Sequence, residues 1–459
     1  MLKYILFILL FFMLNASSCR QQESGNKYKP SDGPLYLNVP VKDIESELHG
    51  FLKAWYPVLM DTINGGYWTN LASDFSLLKN QDKMLVTQAR GLWTAAKAAA
   101  VFPENPLFRK AAGHGYKFLT EKMWDHELGG FKQIYLIESA VSPNEIKTTY
   151  ANSFALFALS EYYKINPHPQ VLEWVKKSFN WIEQIARDPQ FHGYYNIITS
   201  ANELTKQNTR WGRGDLKDQN TSIHLLEAFT NTYHIWPDSL VKVRLREILE
   251  LIRDKMVNEK GYLNLFFNRN WQPVSHVDSS HTFILNNIYT DHVSFGHDIE
   301  TAYLLIDASL ALNNKTDHQT LTVAKKLIDH SLAYGFDRDY HGLYDKGYYF
   351  KHKKEIEIVI RDKVWWSQAE AWHTLALASK YYPRDDVYPK AFEQMWKYIK
   401  EQMIDPQNHG WYNNGLDSDP GNKDSAKGHQ WKGAYHDGRA LMQVYLYARE
   451  KLNGQKDIH

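Results

Sequence analysis

The chain has a single cysteine, Cys19, among 459 residues, which excludes a disulfide framework and any thiolate metal cluster. It has no HExxH pattern for zinc, no glycine-rich phosphate loop at a strand-to-helix junction and no GxSxG nucleophile elbow. Net charge is nearly absent too. Lys and Arg number 53 against 52 Asp and Glu, which leaves no basic patch to argue for a nucleic-acid ligand.

What the chain does have begins with a leader. In MLKYILFILLFFMLNASSC one positive residue, Lys3, precedes an apolar run, and small residues precede Cys19. This is the layout of a signal peptide rather than a membrane span. The ASSC ending resembles a bacterial lipobox, in which the cysteine is cleaved at and lipidated. Residues 1–19 then form the signal peptide. Residues 20–40, polar with Gly, Pro and Ser, form a flexible tether. A lipid on Cys19 would anchor the protein in the cell envelope, on the periplasmic side.

The second feature is a repeat. Six times an acidic or amide residue is followed by glycine and then an aromatic or apolar pair: DTINGGYW, DHELGGF, DPQFHGYY, NEKGY, DRDYHGLY and DPQNHGWY. The glycines are Gly66, Gly130, Gly193, Gly261, Gly342 and Gly410, at steps of 64, 63, 68, 81 and 68 residues. A unit of that length holds two helices and their connections. Length alone would allow two or three domains; an even repeat argues for one, over residues 41–455.

Between the glycines the apolar spacing is helical. One set of segments is small and apolar all round, as buried inner helices are. Its members begin near Val86, Thr148, Asn220, Gly296, Trp365 and His436. The alternate set, such as 169–186 and 240–256, is amphipathic and charged, as outer helices are. Pairing the unpartnered helix near Val41 with the last inner helix closes a ring of twelve. The expected fold is all-α, an (α/α)6 barrel of six helix hairpins, with an open superhelical array as the competing architecture.

Polar residues gather at one end of the inner helices. Arg90, Tyr150, Asn220, His224, His297, Glu300, Glu370, His436 and Arg439 all fall within about the first two turns. Parallel inner helices would bring them to one mouth of a central cavity. Buried ionisable groups are costly unless paired, so such convergence indicates a site. His297 and Glu300 share a helix face, and a carboxylate beside an imidazole fixes its tautomer and raises its basicity. His436 sits at the equivalent start of another inner helix. Two histidines across one cavity suit removal of a proton from one face of a carbon and its return to the other. Arg90 would hold an oxygen that gains negative charge, or would pair with a glutamate on a neighbouring helix. Asn220 and His224 lie one turn apart and suit sugar hydroxyls; His224 would otherwise hydrogen-bond Glu227 or Glu300. Trp365, Trp366 and Trp431 would stack on sugar rings or pack in the core.

At these residues the chain resembles the N-acylglucosamine 2-epimerase superfamily, most closely its cellobiose 2-epimerase branch. SFGHDIETAYLL, KVWWSQAEAW, WKGAYHDGRAL and QNTSIHLLEAFTNTY are similar to that branch's segments, as are TQARGLW and YANSFALFALSEYY. The likeness runs from about Gly65 to Arg439. Ser222 stands where the branch has the first histidine of its N-T-H-x-H pattern. Ala434 and Asp437 stand where it has the proline and asparagine around its Tyr-His pair. The resemblance implies an (α/α)6 barrel and a cofactor-free epimerase, with no metal, acting at C2 of a reducing-end sugar. By position, His297 and His436 would be the acid/base pair and Glu300 would support His297. Arg90, Asn220 and His224 would bind the open-chain sugar, and Tyr150, Trp365, Trp366 and Trp431 would shape its subsites. Aldose–ketose isomerase, N-acylglucosamine 2-epimerase, glycoside hydrolase and non-catalytic glycan-binding lipoprotein are the competing readings. A hydrolase would need an Asp/Glu pair across the cavity.

Overall fold

The computed structural model describes residues 28–139, 146–313 and 315–456. Its helices are α1 (Val41–Trp55), α2 (Leu85–Val101), α3 (Pro106–Phe118), α4 (Thr149–Ile165), α5 (Pro169–Trp181), α6 (Gln219–Ile235), α7 (Ser239–Leu251), a short α8 (His281–Asn286), α9 (Phe295–Asn313), α10 (His318–His330), α11 (Trp365–Tyr381), α12 (Val387–Tyr398) and α13 (His436–Lys456). The helices α2, α4, α6, α9, α11 and α13 lie side by side in that order, and α13 returns to α2. Each of α3, α5, α7, α10 and α12 packs outside the inner helix that precedes it, and α1 packs on α13. The result is a closed (α/α)6 barrel.

Helix sequence explains the two layers. α4 is buried from Thr149 to Tyr162 apart from Tyr150, because it meets the cavity on one side and outer helices on the other. α3 buries only Phe108, Ala111, Ala112, Gly115 and Phe118, one stripe at helical spacing. Its start is fixed by Asn105, whose side chain accepts from Leu107 N at 3.1 Å, and by Pro106 at the first helical position. Five outer helices end in a wider π turn, as at Leu119–Met123 and Ile182–Ala186.

The glycine turns follow. Asp61 N donates to Gly66 O, and Asp61 Oδ1 accepts from Ile63 N and Asn64 N, each at 2.9 Å. Gly66 has φ +68°, and a Cβ there would lie 2.4 Å from Gln88 Oε1. Gly130, at φ +76°, would drive a Cβ to 2.4 Å from the Trp181 ring. Only glycine meets both demands. Five turns also anchor a buried lysine: Lys83–Asp61 at 2.8 Å, Lys147–Asp125 at 2.8 Å, Lys217–Asp188 at 3.1 Å, Lys363–Asp337 at 2.6 Å and Lys427–Asp405 at 2.9 Å. The first four lysines stand two residues before an inner helix. In the remaining turn the acid is Asn258, and the matching position before α9 is Val293. Both charges are missing together, as the cost of leaving either one buried alone requires.

The long step between Gly261 and Gly342 holds α8 and a 3₁₀ turn, Ile288–Thr290. Ile284 and Ile288 pack on Tyr348 and Phe350 in a small second core. Beside it, Val293–Ser294, Lys346–Tyr348 and Glu357–Ile360 form a three-stranded antiparallel sheet.

One boundary differs from the sequence-based expectation. Residues 28–40 are built into the barrel wall rather than forming a free tether. Leu35–Tyr36 pairs with Val39–Pro40, Tyr36 meets Phe392 edge-on at 5.8 Å, and Tyr28 N donates to Glu401 Oε1 at 3.2 Å. Aromatic burial, not composition, decides this stretch. The leader, Cys19 and residues 20–27 lie outside the described residues. Among the described residues no helix is long and apolar enough to cross a membrane.

Candidate active site

Because the inner helices start at one level, equal positions along them face the same depth. The third residue of α9 is His297. The sixth residues of α2, α4, α6, α9 and α11 are Arg90, Phe154, His224, Glu300 and Glu370, and Arg439 of α13 joins their network. Arg90, Tyr150, Asn220, His224, His297, Glu300, Trp365, Trp366, Trp431 and His436 surround one cavity of about 170 Å³. All ten of the candidate catalytic and sugar-binding residues are therefore brought together. Trp366 lies between the histidines, with ring centroids 4.7 Å from His297 and 6.0 Å from His436. Trp431 stands at the rim, 38% exposed.

The two histidines are held differently. His436 Nδ1 lies 2.6 Å from Glu370 Oε1. His297 Nδ1 lies 2.9 Å from Ser294 Oγ and 3.4 Å from Gln219 Nε2. Glu300 does not hydrogen-bond His297, against expectation. It sits nearly one turn deeper and accepts from Arg439 Nη2 at 2.9 Å. Arg439 also reaches Glu370 Oε1 at 2.6 Å and pairs with Glu227 Oε1. Glu227 in turn accepts from Tyr435 OH at 3.1 Å and holds His224 Nδ1 at 3.2 Å. One guanidinium thus ties together three carboxylates behind the cavity wall.

Burial pushes both catalytic candidates toward neutral imidazole. It lowers His297 well below the usual histidine range, helped by His224, His292, Lys346 and Arg90. It does the same to His436, helped by Arg90 and Arg439. Burial raises the Glu370 carboxyl, and nearby Glu300 adds to that, while Arg439 opposes both. Burial alone would raise Glu227 also, yet Arg439 and His224 hold it below the usual range.

Among the described residues Arg90 pairs with no carboxylate. It donates to Tyr150 OH at 3.2 Å and Trp431 O at 3.3 Å, and its guanidinium lies 4.3 Å from the Phe154 ring centre. Its Nε and the Asn220 Oδ1 are buried without partners. Glu300, Glu370 and His436 bring ligand atoms within 4.8 Å of one another, but the Arg439 guanidinium already stands where a cation would.

The departures from the epimerase pattern sit behind the wall. Ser222 Oγ donates to Asp218 O at 2.8 Å within its own helix. Ala434 O accepts from Thr94 Oγ1 at 3.4 Å. Asp437 is fully buried, and burial pushes it up to about 6 against the pull of Lys432. Asp298, after His297, is likewise structural: its Oδ1 accepts from Leu263 N at 2.8 Å. Gln88, Asn152 and Gln368 do the same for Tyr67, Phe131 and Leu343.

Comparisons with known proteins give the family and the fold. The family model of N-acylglucosamine 2-epimerase (GlcNAc 2-epimerase) matches residues 66–437. The chain is 26% identical over 397 residues to a cellobiose 2-epimerase of Bacteroides fragilis, covering 86% of this chain and 95% of that one. It is 22% identical over 407 residues to a D-mannose isomerase of Marinomonas mediterranea, covering 87% and 96%. The solved structure of cellobiose 2-epimerase from Bacillus thermoamylovorans B4167 superposes with a TM-score of 0.76 at 26% identity, covering 88% and 98%. The protein is accordingly an enzyme, a carbohydrate epimerase in its broad class. With its barrel, its paired histidines and a match over most of its length, the chain belongs to the N-acylglucosamine 2-epimerase family.

Proposed function

We propose that the enzyme inverts C2 of the reducing-end sugar of a β-1,4-linked disaccharide or oligosaccharide, interconverting glucose and mannose units. The observation that carries this is the pair of histidines flanking Trp366, His436 buried and His297 half-buried, with Arg90 free of any carboxylate partner among the described residues on the same cavity.

A ring-closed sugar has no acidic hydrogen at C2. Ring opening exposes the C1 aldehyde and makes that hydrogen α to a carbonyl. With Nδ1 bound to Glu370, His436 offers Nε2 as base. It takes the C2 proton, the C–H electrons become the C1–C2 double bond, and O1 takes the charge of a cis-enediol. Arg90 stabilises that oxygen, an effect of roughly 3–4 kcal/mol for one well-placed donor. His297, taken to its imidazolium by a solvent proton before this step, protonates C2 on the other face and completes inversion. His436 is then one proton richer and His297 one poorer, and exchange with solvent restores them. For the opposite epimer the roles exchange.

Incubating the purified protein with cellobiose and, separately, β-1,4-mannobiose tests this reading. A disaccharide with the epimerised reducing end supports it, and a ketose would favour an isomerase like the mannose-acting relative. We also propose, from the leader alone, that a lipid on Cys19 holds the enzyme at the cell envelope. Release of a Cys19→Ser variant from the membrane fraction would support that, and its retention would count against it.

A further inference from the structure

A second cavity, of about 140 Å³, lies at the other end of the barrel axis. The thirteenth residues of four consecutive inner helices face it: Lys97, Glu161, Asn231 and Asp307. They stand seven residues beyond the active-site level, about 10 Å along each helix. Glu161 and Asn231 satisfy each other, with Asn231 Nδ2 donating to Glu161 Oε2 at 3.2 Å. Lys97 and Asp307, both half-buried, make no hydrogen bond among the described residues, and each interacts with its neighbours only through space. The buried Nε1 of Trp93 and Nε of Arg439, from two more residues lining this cavity, also lack partners. Native interiors leave few such groups unsatisfied.

We propose that this far cavity is a second binding site, for a neutral polyol the size of one sugar ring. Two buried donors without partners, Trp93 Nε1 and Arg439 Nε, beside the half-buried Lys97 and Asp307 that face the cavity, suit a ligand rich in acceptors that also donates, which describes sugar hydroxyls. The formal charges around the cavity balance, which favours a neutral ligand. Lys97, Lys164 and Arg439 balance Glu161, Glu227 and Asp307 around the cavity. Trp93, stacked on Phe157 at 5.3 Å, gives the cavity an aromatic wall with its indole nitrogen as a donor. The volume is close to that of the active-site cavity. Its floor, Glu227 and Arg439, belongs to the network that holds His224 and Glu370, so an occupant would touch the groups behind the catalytic histidines. The sugar chemistry of this second site is inferred from its own residues, and only its coupling to turnover rests on the epimerase reading.

The test is fluorine NMR of the full chain carrying 5-fluorotryptophan, titrated with methyl α-D-glucoside, which cannot open its ring. Trp93 reports the far cavity and Trp366 the active site. The expected result is a saturable shift of Trp93 that Lys97→Met and Asp307→Asn each weaken at least tenfold, while Trp366 responds as before. A Trp93 signal unmoved at saturation of Trp366 would overturn the proposal. So would a shift insensitive to both variants, or one produced equally by inorganic phosphate. Movement of Trp93 with Trp366 silent would sustain this site and count instead against sugar binding at the histidines.

Discussion

Glu370 Oε1 stands 2.6 Å from His436 Nδ1 and accepts from Arg439 at the same distance. In its ionised form the Glu370 carboxylate stabilises the imidazolium that forms when His436 takes a proton; burial and Glu300 raise this carboxyl to about 8, against the pull of Arg439. Glu370→Gln should lower kcat by about 10²-fold or more, the range of a positioned acid/base group, with little change in KM. Equal loss in KM and no loss in kcat would mean that Glu370 serves only binding.

The same pair sets the pH dependence. Burial holds His436 below the usual histidine pKa, so its neutral, basic form persists as pH falls past about 6.5. The acid limb of kcat/KM should therefore lie below pH 6.5. An acid limb at or above that value contradicts the assignment of His436 as a buried base.

The two histidines should rest in opposite tautomers. The carboxylate of Glu370 requires a proton on Nδ1 of His436. Where the Gln219 amide nitrogen and the Ser294 hydroxyl donate to Nδ1 of His297, that nitrogen is an acceptor and the proton rests on Nε2. Nitrogen-15 NMR of the imidazoles at pH 9, above the Glu370 carboxyl that is raised to about 8, should show one Nδ1–H and one Nε2–H ring, identified by His297→Gln and His436→Gln. Two rings of the same tautomer would contradict it.

The turn lysines give a stability test. Asp125→Asn leaves Lys147 buried without its carboxylate and should cost about 3–5 kcal/mol. Adding Lys147→Val rebuilds the Asn258/Val293 arrangement of the unpaired turn and should recover most of the loss. Denaturant unfolding of both variants decides; a double variant as unstable as the single one refutes the pairing argument.

Much of this was legible in the sequence. The six glycines, the inner-helix starts to within one residue and seven of the ten cavity residues follow from periodicity and position, while Trp365, Trp366 and Trp431 come from ring chemistry and the family resemblance. The network behind the site was not. Glu227, Glu300, Glu370 and Arg439 come from four helices, and which carboxylate serves which histidine depends on depth along each helix. Counting to the sixth residue of each inner helix would have put Glu300 below His297. The buried lysines were also missed, although four recur two residues before an inner helix. The packed segment from Tyr28 to Pro40 reads as a tether by composition, since its hold depends on two tyrosines meeting Trp396 and Phe392 on a helix more than 300 residues away.

Loss of either histidine should abolish turnover. His297→Ala and His436→Ala should each retain the fold, judged by circular dichroism and melting, with at least 10²-fold less activity. Near wild-type rates in either variant would sink the acid/base assignment.

The most direct measurement is proton NMR of the enzyme with cellobiose in D2O. The account predicts a mannose reducing end that carries deuterium at C2, since the proton removed by one histidine is replaced by a solvent-derived one from the other. A ketose, free monosaccharides, or an epimer that keeps its original C2 proton throughout would contradict inversion by two bases through a cis-enediol.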